Sequence, residues 1–363
     1  MPIDRRHILS AALGISAAAV ANRPSPAAAA STTYDDAARQ SRAPLQMVPR
    51  NRELVRFATL AANSHNTQPW TFTARSDAIV IAPDFGRRCP AVDPDDHHLF
   101  VSLGCAAENL VLAASALGLR ANPRVEGDEI VIEVETTTPA RSPLAEAITV
   151  RQSTRANFDG KPVAPDTMRL LENACREPGV SAITITERNR LSRIADYVVE
   201  GNSAQMRDKA YMDELVAWLR FSEADAVATM DGLSARASGN PELPAWMARP
   251  LLRFFLTENG ENKKYREQIG SSAGVVVLVA DTSDKAGWIA VGRACQRFGL
   301  QATALGLKYA FINQPVEVSS IRGQFASFLG IGERRPDIVM RFGAGPDLPK
   351  SLRRTPEEVM RER

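Results

Sequence analysis

Ser64-His65-Asn66-Thr67-Gln68-Pro69-Trp70 lies where two hydrophobic periods meet, and its reading decides the fold. Before it, Leu54, Phe57, Ala58 and Ala61 recur at helical spacing and predict a helix over 50–62. After it, Trp70, Phe72, Ile79 and Ile81 alternate and predict a β-hairpin. Ser64, Asn66 and Gln68 lie two residues apart, so an extended backbone would aim all three side chains the same way. Carboxamides both donate and accept, which suits one edge of a flat heterocycle carrying imide N–H and carbonyl groups. His65, polar and within the turn, reads as a capping residue.

Outward from this turn, a polar lead over 31–46 reads as a mobile segment. A long helix is expected from about His97 to Leu117, closed by Gly118. Ile130, Ile132 and Val134 alternate with charged partners and predict a further strand with one face exposed. Asp93, Asp95, Asp96, His97 and His98 could be drawn as a metal cluster. Adjacent histidines chelate one ion poorly, however, and Asp93-Pro94-Asp95-Asp96 is a good helix cap, so no metal is expected.

The plan then repeats. Residues 104–120 align without gaps on 292–308, sharing Leu112/Leu300, Ala114/Ala302, Ala116/Ala304 and the ending Leu117-Gly118-Leu119/Leu305-Gly306-Leu307. Met168 to Cys175 and Ala182 to Thr186 mirror the first helix and hairpin, and Val275 to Val279 with Ile338 to Phe342 supply two more strands. Two copies of an α+β unit suggest a chain that imitates a symmetric dimer, with halves at 31–145 and 146–363. The stretch of about 189–270 has no counterpart in the first half. It reads as a helical insertion, carrying Trp218, Trp246, Leu251 and Phe254, and either covers a site or extends the core.

Composition narrows the function. The chain has 363 residues, 44% hydrophobic and 24% charged, an ordinary globular balance. Arg5-Arg6, an uncharged run from Ile8 to Ala21 and the alanines ending at Ala30 read as an export signal of the twin-arginine type over 1–30. That segment has Arg5, Arg6 and Arg23 against Asp4, a balance of +2, which equals the net charge of the whole chain. The remainder is near neutral, which excludes nucleic acid as a partner. A soluble periplasmic or otherwise exported protein is expected, with the export machinery as one partner. Beyond the signal no apolar stretch of membrane-spanning length is read. Cys89, Cys105, Cys175 and Cys295 form no C-x-x-C, and the last three are expected to be buried free thiols.

Arg151-Gln152-Ser153-Thr154-Arg155-Ala156-Asn157-Phe158 opens the second half, and two guanidiniums flanking a hydroxyl could converge on one phosphate. This run, the Ser64 to Trp70 turn, Tyr309-Ala310-Phe311-Ile312-Asn313-Gln314-Pro315 and the ending Gly343-Ala344-Gly345 with Arg353-Arg354-Thr355-Pro356 together resemble the nitroreductase family, in particular its divergent fused, Acg-like branch. The resemblance implies an α+β pseudo-dimer binding flavin mononucleotide (FMN). It implies Ser64, Asn66 and Gln68 at the pyrimidine edge, and Arg151, Ser153, Arg155 and Arg354 at the phosphate. Phe311, Ile312 and Asn313 would make backbone contacts near the reactive flavin nitrogen. The polar turn and the phosphate motif each occur once, in opposite halves, so one flavin per chain is expected and a monomer suffices. The implied activity is flavin-mediated hydride transfer to nitro compounds or quinones, with no catalytic side chain assigned. The alternative is an exported flavin-binding or flavin-sequestering protein with an occluded site and little turnover. The small-molecule electron donor and acceptor are not named by the sequence.

Overall fold

A computed structural model describes residues 32–361 except 249 and 251–255. The expected export signal, Leu251 and Phe254 lie outside the described residues. The first described element corrects an expectation, because the polar lead contains a docked helix, α1 (Tyr34–Ser41). Thr33 caps it by accepting from the Asp36 N–H, and Tyr34, Ala37 and Ala38 fall on one buried face. The Tyr34 hydroxyl donates to the Lys350 carbonyl at 2.8 Å, so this segment is held by the far end of the chain.

The expected helix follows as α2 (Arg50–Thr59), burying Leu54, Val55, Phe57 and Ala58. The hairpin is β1 (Trp70–Ala74) with β2 (Ala78–Pro83), Phe72 facing Ile81 across it. Next comes α3 (His97–Ala116), which is long and apolar enough to cross a membrane but lies mostly buried inside the protein. Asp93 accepts from the His98 and Leu99 N–H groups at 3.0 Å each, which is the capping expected from the sequence. A second hairpin, β3 (Leu119–Glu126) and β4 (Glu129–Thr136), completes this half. Only β4 was expected. Pro123 conceals β3, and it is accommodated because β3 is an edge strand.

After the short α4 (Pro143–Ala147), the second half begins with α5 (Pro165–Ala174) and β5 (Val180–Ile185). The insertion comprises α6 (Arg188–Arg207), α7 (Lys209–Trp218), β6 (Leu219–Arg220), α8 (Glu223–Thr229), β7 (Leu233–Ser234) and α9 (Glu258–Gly270). The remainder is β8 (Gly274–Ala280), α10 (Lys285–Ala304), β9 (Lys308–Phe311), α11 (Gln314–Glu317), α12 (Ser319–Leu329), β10 (Ile338–Gly343), α13 (Pro356–Val359) and β11 (Met360–Arg361).

Among the described residues two large sheets form, in the orders β11-β1-β2-β4-β3 and β5-β8-β10-β9, and β6 and β7 of the insertion make a third, two-stranded one. The fold is mixed α+β. The repeat found in the sequence has matching bounds: adding 188 to the ends of α3, residues 97 and 116, gives 285 and 304, the ends of α10. Each helix stops at Leu followed by a left-handed glycine, Gly118 at φ 77° and Gly306 at φ 74°.

The two helices cross at equivalent glycines. A Cβ on Gly104 would lie 2.1 Å from the Ile289 carbonyl oxygen, and one on Gly292 would lie 2.0 Å from that of Val101. Ile289 and Val101 each stand three residues before the glycine of their own helix and meet the glycine of the other, so the contact is reciprocal, as in an isologous interface. Beside the crossing, Glu108 of α3 accepts from Arg293 and Arg297 of α10 at 2.9 Å each. The main core spans both sheets and both helices, from Leu54, Trp70 and Leu103 to Phe298, Met340 and Phe342. A second cluster packs α6 and α12 onto the other face of the second sheet, with Leu191, Ile194, Val198 and Phe325 against Val275, Val277 and Val339. Within the insertion, α6 packs on the second sheet, and the residues after it line one side of a cavity.

Candidate functional site

A cavity of about 720 Å³ lies beneath α7 and the 219–243 segment. Its lining comes from widely separated places in the sequence. The turn contributes Asn63, Ser64 and His65, and α3 contributes His98 and Ser102. The second half adds Arg155, Phe311, Asn313, Gln314 and Glu317, and the insertion adds Met206, Tyr211, Phe221, Lys264 and Tyr265. Cys105 and Cys295, either side of the helix crossing, reach the same cavity, so both repeat helices form its base. All four cysteines are free and buried.

Ser64, Arg155, Phe311 and Asn313 are the sequence-selected residues that meet here. The others are placed elsewhere. The turn is a tight 3₁₀ turn over Ser64–Asn66, with His65, Asn66 and Gln68 at φ of 46°, 54° and 54°. The extended backbone expected from the two-residue spacing is therefore absent, and the three polar side chains diverge. Asn66 donates to the Gly232 carbonyl at 3.0 Å and the Leu352 carbonyl at 3.2 Å, and accepts from Arg353 at 2.7 Å. Gln68, fully buried, donates to the Met230 carbonyl at 2.9 Å and accepts from the Arg354 N–H at 2.8 Å. These two amides fasten the turn to the insertion and to the C-terminal segment, and neither lines the cavity. His65 is not a cap: it lines the cavity, with Nδ1 at 3.6 Å from Cys89 Sγ.

Arg151 is buried and points into the core, where it donates to the Tyr309 hydroxyl at 2.6 Å and the Leu60 carbonyl at 2.7 Å. Ser153 carries a buried hydroxyl without a partner. The Ile312 N–H is taken up by the Val339 carbonyl at 2.9 Å, a sheet bond that removes it from ligand contact. Arg354 donates to the Gln68 and Glu358 carbonyls, and its neighbour Arg353 is the deeply buried one, donating to Thr59, Ala61 and Asn66. Neither arginine of the pair lines the cavity.

What remains for a ligand is a defined polar set. His98 Nε2 and Gln314 Oε1, both on buried side chains lining the cavity, have no hydrogen-bond partner among the described residues. Buried polar atoms without partners are rare and costly, so such atoms in a cavity mark where a polar ligand edge or water fits. Arg155 contributes the least committed positive charge: its one polar side-chain contact among the described residues is the Ser238 hydroxyl at 3.4 Å. Arg220, by contrast, pairs with Asp231 at 2.6 Å, and Lys264 lies 3.7 Å from Glu261. Burial pushes Glu317 above the usual carboxylate range and lifts the Tyr211 and Tyr265 hydroxyls, the latter to about 12. Burial lowers His65 to about 4, aided by the nearby Arg155 and His98. Among the described residues the cavity therefore offers hydroxyls held protonated, an imidazole held below its ordinary pKa and the lightly engaged Arg155 guanidinium.

No family profile matches the chain. A Mycobacterium tuberculosis protein provisionally named NAD(P)H nitroreductase Rv3131 is 26% identical over 335 residues, covering 86% of this chain and 93% of that protein. A second one from the same organism, provisionally named NAD(P)H nitroreductase acg, is 23% identical and covers 86% and 95%. Among solved structures, the FMN-dependent nitroreductase NfnB of Mycobacterium smegmatis superposes with a TM-score of 0.41 at 18% identity, covering 61% of this chain and 98% of that one. A Bacteroides fragilis nitroreductase with bound FMN gives 0.35 at 15% identity, covering 57% and 90%. Over most of its length, then, this chain is similar to proteins provisionally named as NAD(P)H nitroreductases.

Proposed function

We propose that the protein is an FMN-binding, nitroreductase-like oxidoreductase built as a pseudo-dimer, with one flavin site in the covered cavity. The observation that carries this is convergence: the turn, the Arg155 motif and the Phe311 to Asn313 segment, distant in sequence, line one cavity. Its volume lies within the range of cofactor and small-molecule sites. The fit is partial for the set named from sequence. Ser64, Arg155, Phe311 and Asn313 remain available, whereas Asn66, Gln68, Arg151 and Arg354 act behind the wall as the frame that holds it.

When bound, flavin supplies hydride transfer, and no protein nucleophile is needed. Arg155 binds the phosphate, the one strongly anionic group of the cofactor. His98 Nε2 would donate or accept according to its tautomer, and Gln314 Oε1 would accept, at a polar edge of the bound ring. Tyr211 and Tyr265, held protonated by burial, donate hydrogen bonds to whatever lies against α7 and α9. Where the cover lies over a bound ring it would displace water, which would strengthen each of these polar contacts. Nitro compounds and quinones are the acceptors we assign, with NAD(P)H as the donor to be tested first.

A second reading, a flavin-holding protein with little turnover, is favoured by how the cover is fixed. Asp231 of the cover pairs with Arg87 of the body as well as with Arg220, and Asn66 and Gln68 bond to Gly232 and Met230. Export through the twin-arginine route is part of this proposal and rests on Arg5-Arg6 and the uncharged run that follows. Folded export would let a flavin loaded in the cytoplasm travel with the chain.

The deciding experiment is an absorbance spectrum of the purified protein after FMN reconstitution, followed by anaerobic NADPH. Flavin bands that bleach with NADPH and return with a nitroaromatic or quinone support the reductase. Bands that bleach only with dithionite support the occluded carrier, and no bands after reconstitution overturn both.

A further inference from the structure

Three side chains beside the cavity are unused by the flavin reading: His65 of the turn, Cys89 of the loop after β2, and Glu214 of α7. One ligand atom from each lies within 4.8 Å of the other two. We propose that His65, Cys89 and Glu214 form a site for a divalent cation of the zinc class, joining the cover to the body of the protein. This inference is independent of whether flavin binds.

The donor set selects the ion. Imidazole, thiolate and carboxylate together suit zinc and its borderline-soft neighbours, whereas magnesium and calcium require oxygen throughout. Spacing agrees with this. With metal–nitrogen near 2.0–2.1 Å and metal–sulfur near 2.3 Å, a tetrahedral angle separates the two ligand atoms by about 3.6 Å. His65 Nδ1 and Cys89 Sγ stand 3.6 Å apart.

The carboxylate is held for the task. Glu214 accepts from the Ala91 N–H at 2.9 Å and the Val92 N–H at 3.2 Å, one bond to each oxygen, and each oxygen keeps a further lone pair. Hydrogen-bonded ligating carboxylates of this kind are the normal outer support of metal sites. Three protein ligands leave a fourth position open to water or a small molecule, as in reactive zinc sites, and His65 itself lines the cavity.

The surrounding charge is mixed. Glu214, Asp93 and Glu317 lie close enough to Cys89 to raise its thiol further above the level set by burial. They favour a dication there. Arg155 and His98 act against it from the His65 side, but they also keep the imidazole neutral and so available as a ligand. Binding exchanges the thiol proton for the metal: the S–H proton leaves to water, a sulfur–metal bond forms, and the two anionic ligands neutralise the 2+ charge. The neighbouring trio Asp93, His97 and His98 is a poorer site, since Asp93 caps α3 and His97 faces Asp337 at 2.8 Å.

The test uses the full chain, stripped with chelator and titrated with cobalt(II), a spectroscopic probe for this class. One equivalent is expected to give a near-ultraviolet thiolate-to-cobalt band and visible bands of four-coordinate cobalt, both displaced by zinc. Cys89→Ser abolishes the near-ultraviolet band, whereas Cys105→Ser retains it. Glu214→Gln weakens cobalt binding at least tenfold while leaving the metal-free circular dichroism spectrum unchanged. Absence of the band in the native chain, or its survival in Cys89→Ser, overturns the proposal. If Cys89→Ser does not fold, Glu214→Gln decides, and native-like affinity in that variant overturns it.

Discussion

Gly104→Ala tests the helix crossing on which both halves rest. The added Cβ would stand 2.1 Å from the Ile289 carbonyl oxygen, and the nearest carbons of Ile289 are backbone atoms as well. Ordinary contact starts near 3.4 Å, so α3 and α10 must separate locally by about 1.3 Å. No side chain can rotate away to relieve this. Overpacking of a filled core costs roughly 1–3 kcal/mol, and a strain borne by two backbones belongs at the top of that range or slightly above. Alanine returns up to about 1 kcal/mol of helix propensity. The net expectation is a loss of about 2–3 kcal/mol, measured by urea unfolding, or a fall in Tm of roughly 3–4 °C for a chain of this size. Gly292→Ala should match it, because its Cβ meets the Val101 carbonyl oxygen at 2.0 Å. The double variant should lose less than the sum, since one separation relieves both clashes. Gly323→Ala on α12, exposed and with nothing within 4 Å of its Cβ, is the control and should be neutral or stabilised by under about 1 kcal/mol. If Gly104→Ala unfolds within about 0.5 kcal/mol of the native chain, the close crossing is refuted.

Other variants separate frame from site. Asn66→Ala leaves the Gly232 and Leu352 carbonyls and the Arg353 guanidinium without their partner, and should cost roughly 2–4 kcal/mol in urea unfolding even in flavin-free protein. Unchanged stability with lost flavin would place Asn66 in the site instead. Arg155→Ala should leave unfolding within about 0.5 kcal/mol but weaken FMN roughly 10- to 100-fold by fluorescence titration, the value of one charge-assisted contact. Arg151→Ala should do the reverse, lowering stability first. Lys350 is lowered to about 8, by burial first and then by Arg42. Between about pH 8 and its ordinary 10.5 the folded chain binds fewer protons than the unfolded one, so stability should rise with pH there. Lys350→Met should flatten that rise, worth roughly 1–2 kcal/mol after solvent screening, in unfolding curves taken from pH 8 to 10.

The fold was legible wherever period and repetition spoke together. The alignment of 104–120 on 292–308 carries the same offset of 188 that relates the bounds of α10 to those of α3, because the same small side chains and the same Leu-Gly-Leu ending solve the same packing problem twice. Segments that rely on distant partners were not legible. In α1, Thr33, Tyr34, Ala37 and Ala38 have the pattern of a capped amphipathic helix, but the polar residues around them masked it. Pro123 hid β3 because its edge position in the sheet is not visible locally. For the site, of the ten residues named from the sequence, Ser64, Arg155, Phe311 and Asn313 line the cavity and the other six do not. Asn66 and Gln68 are partnered with residues 162 to 286 positions away, a closure that no local spacing encodes. His65, Cys89 and Glu214 escaped notice for the same reason, since 24 residues separate the first two and 125 the last two.

The last strand completes the first sheet: β11 at Met360–Arg361 pairs in parallel with β1, Phe72 opposite Met360. During synthesis, therefore, the first sheet keeps an open flank until residues 360–361 have left the ribosome. That flank is a row of unpaired backbone groups beside apolar Trp70 and Phe72, an attractive template for another chain's strand. The segment just before β11, through Arg353 and Arg354, also closes over the turn that carries Asn66 and Gln68. One short stretch, 353–361, thus both finishes a sheet edge and clasps the turn, so loosening it would expose two distant parts of the molecule at once.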